Sequence, residues 1–410
     1  MHADKSQTPQ SSLLFSPFQL RDVIFPNRVV ISPMQMYKAG PEGLFTDWHF
    51  QHLAKYAVGG AGTVMTEALI VDPIGRNTYG DCGIWSDDHI APLRRIASFL
   101  RENGAVAAAQ LHHAGPKAAR KRPWEGLGPL GAAEADRGEP AWQPVGASAG
   151  RTVVGWHEQR PVDRGDIGRI VDAYARATRR IDRAGFEVLD IHAAHGYLIH
   201  SFLSPVSNIR EDASGGDIHG RMRLALEIAE CVRANWPKEK ALFFRISCVD
   251  WRADLDDRTD GWRIEDSFIL AKELHLRGVD LIDCSSGGIR SENSVIDYAR
   301  KGKKLARGFQ VPHAEAIRRE TEIPTMAVGV ILDGPQAESI LKRNQADLVA
   351  IGREALNDPN WALHAAQALG VDPDWQQWPA SYGWWLGQRQ KIGIGPSEQS
   401  VTVGQSKVGR

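Results

Sequence analysis

The chain has 410 residues, with 49 Lys and Arg against 50 Asp and Glu. That length admits one large barrel or two ordinary domains, and the near-zero net charge gives no electrostatic case for a nucleic-acid or membrane partner. Residues 1–12 are polar, without the apolar core of a signal peptide, and no later stretch is long and apolar enough to span a bilayer, so a cytoplasmic enzyme is expected.

Strand-like and helix-like segments then alternate. A first strand is expected at 28–32 with a helix at 49–58, a second strand at 62–67 with a helix at 89–102, and a third strand at 105–110 with a helix at 166–184. The apolar run 185–191 makes a fourth strand that ends at His192. Further strands are expected at 241–247, 278–283, 323–328 and 346–351, with helical segments at 221–235, 264–276, 311–320 and 335–343. Eight strand–helix units are the count of a closed (β/α)₈ TIM barrel. An open doubly wound sheet is the alternative, but no Gly-rich dinucleotide fingerprint follows the first strand.

Two segments exceed a minimal barrel. Residues 117–162 are a long insertion after the third strand, where lids and pocket walls arise, and the basic run Arg120-Lys121-Arg122 within it is expected to be a solvated loop. The barrel is therefore assigned to residues 13–370, an aromatic C-terminal extension with Trp375, Trp378, Tyr382, Trp384 and Trp385 to 371–392, and a disordered polar tail to 393–410.

The fourth strand leads directly into His192-Ala193-Ala194-His195-Gly196-Tyr197. A buried parallel strand delivers these side chains to the end of a barrel where chemistry is done. Two neutral imidazoles there can hold an anionic oxygen beside a phenol able to supply a proton. The residues alone leave two other readings open: packed core histidines, or a zinc site in want of a third ligand.

Taken together, the strand ends carry Ser32-Pro33-Met34-Gln35, Glu67-Ala68, Gln110, His192, His195, Arg245, Gly329 and Gly352-Arg353. Amide, guanidinium and imidazole donors with almost no carboxylate suit an electron-rich ring system bearing a phosphate, such as FMN. The phosphate is expected at Gly329 and Gly352, where small residues let backbone N–H groups approach, with Arg353 as counter-charge. Cys82, Cys231, Cys248 and Cys284 are widely spaced and form neither a paired metal motif nor a disulfide framework.

From about Leu14 to Arg389 the chain resembles the old yellow enzyme family of flavin-dependent ene-reductases. The resemblance rests on residues 27–34 (NRVVISPM), 59–62 (GGAG), 72–76 (DPIGR), 192–198 (HAAHGYL), 201–205 (SFLSP), 208–210 (NIR) and 351–354 (IGRE). The Met34-x-Met36-Tyr37 region and the Trp-rich end are similar to the bacterial branch containing the xenobiotic reductases. The resemblance implies an FMN barrel that takes hydride from NADPH or NADH and passes it to the β-carbon of an activated alkene. It implies that Ser32, Pro33, Met34, Gln35 and Ala68 contact the isoalloxazine through backbone, that Gln110 bonds its pyrimidine edge, and that Arg245 stabilises negative charge near N1 and O2. His192 and His195 would hold the substrate carbonyl, Tyr197 would protonate the α-carbon, and Tyr37 would also reach the substrate. Trp385 matches a pocket tryptophan, with Arg389 near it, and a homodimer or larger homo-oligomer is implied.

Two departures from that pattern concern the site. Gln35 occupies a position where this branch commonly has Cys and others Thr, which bears on flavin potential, substrate range and the role of Tyr37. Pro116 lies where relatives often have Arg. Competing functions are another flavin-barrel reaction, such as reduction of a thioester-linked or aromatic substrate, a metal-dependent hydrolase built on His192 and His195, and a non-catalytic flavin-binding module.

Overall fold

The computed structural model describes residues 11–151, 155–250, 260–289 and 304–392. Eight parallel strands close into a barrel: β1 (Val29–Ile31), β2 (Thr63–Ile70), β3 (Val106–His112), β4 (Val188–Ala193), β5 (Ala241–Ser247), β6 (Leu281–Ser285), β7 (Thr325–Val328) and β8 (Leu348–Ile351). Each strand pairs with its successor, and β8 returns to β1 through Val349↔Val29 and Ile351↔Ile31. The closed ring excludes the open-sheet alternative.

The strands close because both of their faces are covered. Outward residues such as Val29, Leu189, Leu242 and Val349 join the apolar layer beneath the helices, while Val30, Met65, Val188, Phe243, Met326 and Leu348 fill the interior. Such two-sided burial explains why the strands are continuous apolar runs rather than alternating ones. The eight covering helices are α1 (Asp47–Val58), α2 (Ile90–Glu102), α3 (Arg164–Ala184), α4 (Ile218–Asn235), α5 (Ile264–Leu276), α6 (Val311–Thr321), α7 (Gly334–Lys342) and α8 (Trp361–Ala368). In α3 the Asp163 carboxylate caps the N-terminus by accepting from the Asp166 N–H, and Gly185 ends it at φ 88° before β4 begins.

Three features lie outside the sequence reading. A hairpin of Phe18–Leu20 with Val23–Phe25 packs with the interior cluster, and the fully buried Phe25 stacks on Phe243 with centroids 6.1 Å apart. Strand β2 runs on to Ile70 with a register shift between Met65 and Ala68, a bulge that re-aims the side chains at its end. The loop after β3 also does not leave Arg120 in solvent: Arg120 N donates to Asn77 O and Leu130 N to Ala119 O, folding the segment back over the barrel mouth. Beyond the barrel, Ala380–Lys391 is a helix whose Tyr382, Trp384 and Trp385 are exposed. The tail 393–410 lies outside the described residues.

Phe25→Ala opens a cavity against Phe243 and should cost about 3–5 kcal/mol, read as a lower urea midpoint with an unchanged slope.

Candidate active site

The C-terminal ends of the strands surround two adjoining cavities of about 840 and 160 Å³, which share His195, Tyr197 and Arg245. The larger is also lined by Ser32, Met34, Gly329, Gly352 and Arg353, and the smaller by Pro33, Gln35, Ala68, Gln110 and His192. Every residue expected to hold the cofactor therefore borders one or both. Tyr37 lines neither, but it joins the site through Arg120. Trp385 is 68 % exposed on the C-terminal helix and lines neither cavity of its own chain.

His192 and His195 are placed by the strand end and the turn after it. Ala194 N donates to His192 Nδ1, which leaves the proton on His192 Nε2 to face His195 Nδ1 at 3.3 Å. His195 then donates from Nε2 to Ser285 Oγ at 2.6 Å. The backbone of His195 is left-handed at φ 59°, held by its N–H on Ser247 Oγ. Burial pushes both imidazoles well below the ordinary histidine range, with nearby positive charge from Arg245 adding to it. They are neutral donors, suited to an oxyanion and not to a cation. An oxyanion between the rings would take the His192 Nε2–H that His195 now accepts, and His195 joins as a second donor in its other tautomer, with the proton on Nδ1 and Nε2 accepting from the Ser285 hydroxyl.

Tyr37 is also left-handed, at φ 53°. Its carbonyl lies against Gly80, where a Cβ would come within 2.4 Å. Arg120 Nη2 bridges the two phenols, 3.2 Å from Tyr37 Oη and 3.3 Å from Tyr197 Oη, and it also donates to Asn77 Oδ1 at 3.1 Å. The phenol oxygens accept, so their protons remain available to the pocket.

The expected near-absence of carboxylates does not hold. Asp190 and Asp283 are fully buried on β4 and β6 beside Arg245. Arg245 Nε approaches Asp283 Oδ2 at 3.5 Å without hydrogen-bond geometry, and Arg245 Nη1 donates to Ser32 Oγ at 3.4 Å. Gln110 Nε2 donates to Asp190 Oδ2 at 2.6 Å. Burial, reinforced by the charge on Asp283, pushes the Asp190 carboxyl up to about 7. Arg245 is thus an ion-paired strand residue and a cavity wall at once. Period-2 alternation places Asp190 on the face of His192 and Asp283 on the face of Ser285, a signal the sequence offered.

Gln35 is held at both ends of its amide. Its Oε1 accepts from Ala68 N at 2.6 Å and its Nε2 donates to Asp81 Oδ1 at 3.1 Å. The Ala68 N–H expected to face an isoalloxazine is therefore committed to Gln35. A thiol could not span these two partners, so the carboxamide is a brace between β2 and the loop bearing Asp81.

The donor set fits FMN. Arg245, Gln110 and Ser32 supply hydrogen bonds at one end, and a Cβ on Gly352 would point into open space bounded by Ser32 Cβ at 3.9 Å and Met34 Sδ at 4.0 Å. At Gly329, with φ 112°, a Cβ would strike Gln310 Oε1 at 2.7 Å. Gly352 thus leaves backbone open after β8, whereas Gly329 after β7 is a left-handed turn closely packed on Gln310 and Phe309; both line the cavity, with Arg353 and Lys304 on its wall. The combined space is in the range of about 300–1,000 Å³ typical of ligand sites.

Among the described residues, the His, Cys and acidic side chains close enough to share a metal are His49, Glu67 and Cys82, and not His192 and His195. His49 Nδ1 accepts from Thr46 N at 3.0 Å, so Nε2 bears the proton and meets Cys82 Sγ at 3.2 Å. That is a hydrogen-bonded core cluster in a tautomer unsuited to ligation. Lys117 and Arg120 are the site residues the sequence reading missed; their signal was two cations three apart just beyond a barrel strand.

The chain matches the NADH:flavin oxidoreductase / NADH oxidase family over residues 13–371. It is 39 % identical over 366 residues to an NADPH dehydrogenase of Geobacillus thermodenitrificans, covering 88 % of this chain and 96 % of that one. Morphinone reductase superposes with a TM-score of 0.69 at 24 % identity, covering 88 % of this chain and 91 % of that one. The old yellow enzyme homologue from Zymomonas mobilis superposes with a TM-score of 0.68 at 23 % identity, covering 87 % and 92 %.

Glu67, buried at the β2 bulge, accepts from Met36 N at 3.2 Å, and burial pushes its carboxyl from the ordinary 4.5 to about 8. The unfolded chain loses this proton near 4.5 and the folded chain only near 8, so stability falls as pH rises between those values. Glu67→Gln removes that dependence, and urea midpoints at pH 5.5 and 8 should lie closer together in the variant than in the parent.

Proposed function

The chain belongs to the NADH:flavin oxidoreductase / NADH oxidase family, and we propose that within it this enzyme reduces the C=C bond of activated alkenes such as enones. It is an FMN-dependent NAD(P)H oxidoreductase of the old yellow enzyme type with a (β/α)₈ barrel. The observation that carries the alkene reading is the convergence of His192, His195, Tyr197 and Arg245 around one small cavity with Gln35, Ala68 and Gln110.

FMN, when bound, would supply the two-electron redox chemistry that couples oxidation of NAD(P)H to reduction of the alkene. The remaining work falls to side chains of this chain. Ser32, Pro33, Met34, Gln35, Gln110 and Arg245 would hold the ring, with Ala68, whose N–H is taken by Gln35, in contact beside them, and Gly329, Gly352 and Arg353 would hold the phosphate. His192 and His195 polarise the substrate carbonyl, because neutral N–H donors in a desolvated pocket stabilise an enolate oxygen more strongly than its ketone precursor. Tyr197, its oxygen held by Arg120, gives its proton to the α-carbon, and Tyr37 orients the substrate from the same guanidinium.

Substituting Phe for Tyr197 removes the proton donor and leaves the ring. Alkene reduction should slow by about 10²- to 10⁴-fold, with a much smaller effect on flavin reduction by NADPH, when the two half-reactions are separated by anaerobic stopped-flow. Equal slowing of both would overturn the role of Tyr197.

We further assign the enzyme to the cytoplasm and to a homodimer or larger homo-oligomer, with residues 371–392 covering a pocket. Tyr382, Trp384 and Trp385 are 53 %, 57 % and 68 % exposed on one short helix, an apolar surface that favours a partner. Sedimentation should show a dimer or larger species. Trp385→Ala should alter the preference between bulky and small alkenes while FMN content persists.

A further inference from the structure

We propose that Arg120 and Lys117 form an anion subsite beside Tyr197, and that the alkenes this enzyme prefers carry a carboxylate close to the reacting double bond. The inference rests on the alkene-reductase reading and narrows its substrate class.

The cations of the loop after β3 divide into two sets. Those turned outward are paired: Lys121 with Glu134 at 3.2 Å, and Arg122 with Glu139 at 2.8 Å and Glu125 at 3.5 Å. Those turned inward are not. Among the described residues no carboxylate lies within ion-pair distance of Lys117 or Arg120, and both line the larger cavity together with His195 and Tyr197.

Lys117 is 7 % exposed, and its Nζ donates only to backbone carbonyls, to His195 O at 2.8 Å and to Gly288 O. Arg120 spends Nη2 on three neutral oxygens, and its buried Nε has no partner. Asp81 is the carboxylate whose charge reaches Arg120, but its oxygens accept from Gln35 Nε2, Asn77 N and Thr78 N.

Two adjacent cations without a buried counter-ion are costly to desolvate, and the cost shows in Lys117, which burial and then the charge of Arg120 pull down to about 7. An anion between them offsets that cost. The FMN phosphate is not that anion, because Gly329 and Gly352 follow β7 and β8, across the ring from β3. A guanidinium on the cavity wall whose Nη2 partners are neutral oxygens can turn an N–H to a carboxylate in exchange for one of them. Since Nη2 lies 3.3 Å from Tyr197 Oη, the bound anion sits near the carbon that Tyr197 protonates.

The test compares 4-oxopent-2-enoate with its methyl ester on the FMN-loaded enzyme, in the parent, Arg120→Leu, Arg120→Gln and Arg120→Lys. The parent should favour the acid, and the acid-to-ester ratio of kcat/KM should fall about 10- to 100-fold in the Leu and Gln variants, the worth of a hydrogen bond to a charged group. Arg120→Lys should recover part of it. Arg120→Gln can still bond the phenols without charge and decides the matter if the Leu variant does not fold. A parent that reduces the ester while the ratio is unmoved by loss of the guanidinium overturns the subsite and leaves the alkene reading intact. A rise in KM for NADPH with an unmoved ratio does the same. Should the parent reduce neither compound, the alkene reading fails; calorimetric titration with saturated 4-oxopentanoate and its ester then judges the subsite. Tighter acid binding lost in Arg120→Gln supports it, and equal binding by parent and variant overturns it.

Discussion

A closed ring of parallel strands satisfies its backbone hydrogen bonds internally, and the rest of this molecule depends on that closure. With both faces of each strand covered, polar side chains have one economical place to go, the rim where the strands end. The interior is sealed by Phe25 on Phe243, so Gln110, His192, Arg245 and Ser285 lie at the opposite ends of apolar columns. Register fixes their neighbours: Arg245 stands between His192 on β4 and Asp283 on β6. The site is assembled by pairing of backbones before any side chain in it makes a bond.

Within that rim, positive charge is handled in two ways. Arg245 has the buried carboxyls of Asp283 and Asp190 near it, and burial pushes both upward, with the charge of Asp283 adding to the push on Asp190. The arrangement keeps a guanidinium on the cavity wall while limiting its net field. Among the described residues Arg120 and Lys117 have no such escort and meet carbonyls, phenols and an amide instead. A field compensated at Arg245 and left uncompensated at Arg120 and Lys117 polarises the cavity that all three line.

The barrel was legible because each strand is an apolar run of the right length, and the histidine and tyrosine positions because they directly follow one. What escaped has a physical explanation in each case. The strands Phe18–Leu20 and Val23–Phe25 each carry an exposed middle residue within three positions, so no continuous apolar run marks them, unlike the equally short but fully buried Val29–Ile31. Arg120 looked like one member of a solvated basic run, and only the path of the loop, with its backbone bonds to Asn77 and Leu130, separates it from Lys121 and Arg122. Asp190 and Asp283 were visible but lay inside apolar runs, where composition outweighs a single acid. The exposure of Trp385 had no signal, because a Trp-rich segment reads as one that packs.

Gln35 ties these observations together. It links the Ala68 amide on β2 to Asp81, and Asp81 in turn gathers the N–H groups of Asn77 and Thr78. Asn77 then accepts from Arg120 with its side chain and from Arg120 N with its carbonyl, so a continuous polar path runs from the wall of the smaller cavity to the guanidinium that holds both phenols. A thiol at position 35 could not reach both ends of that path. The carboxamide and the inward arginine therefore belong to one arrangement, in which the side chain of position 35 is committed to rigid placement of Tyr37 and Tyr197.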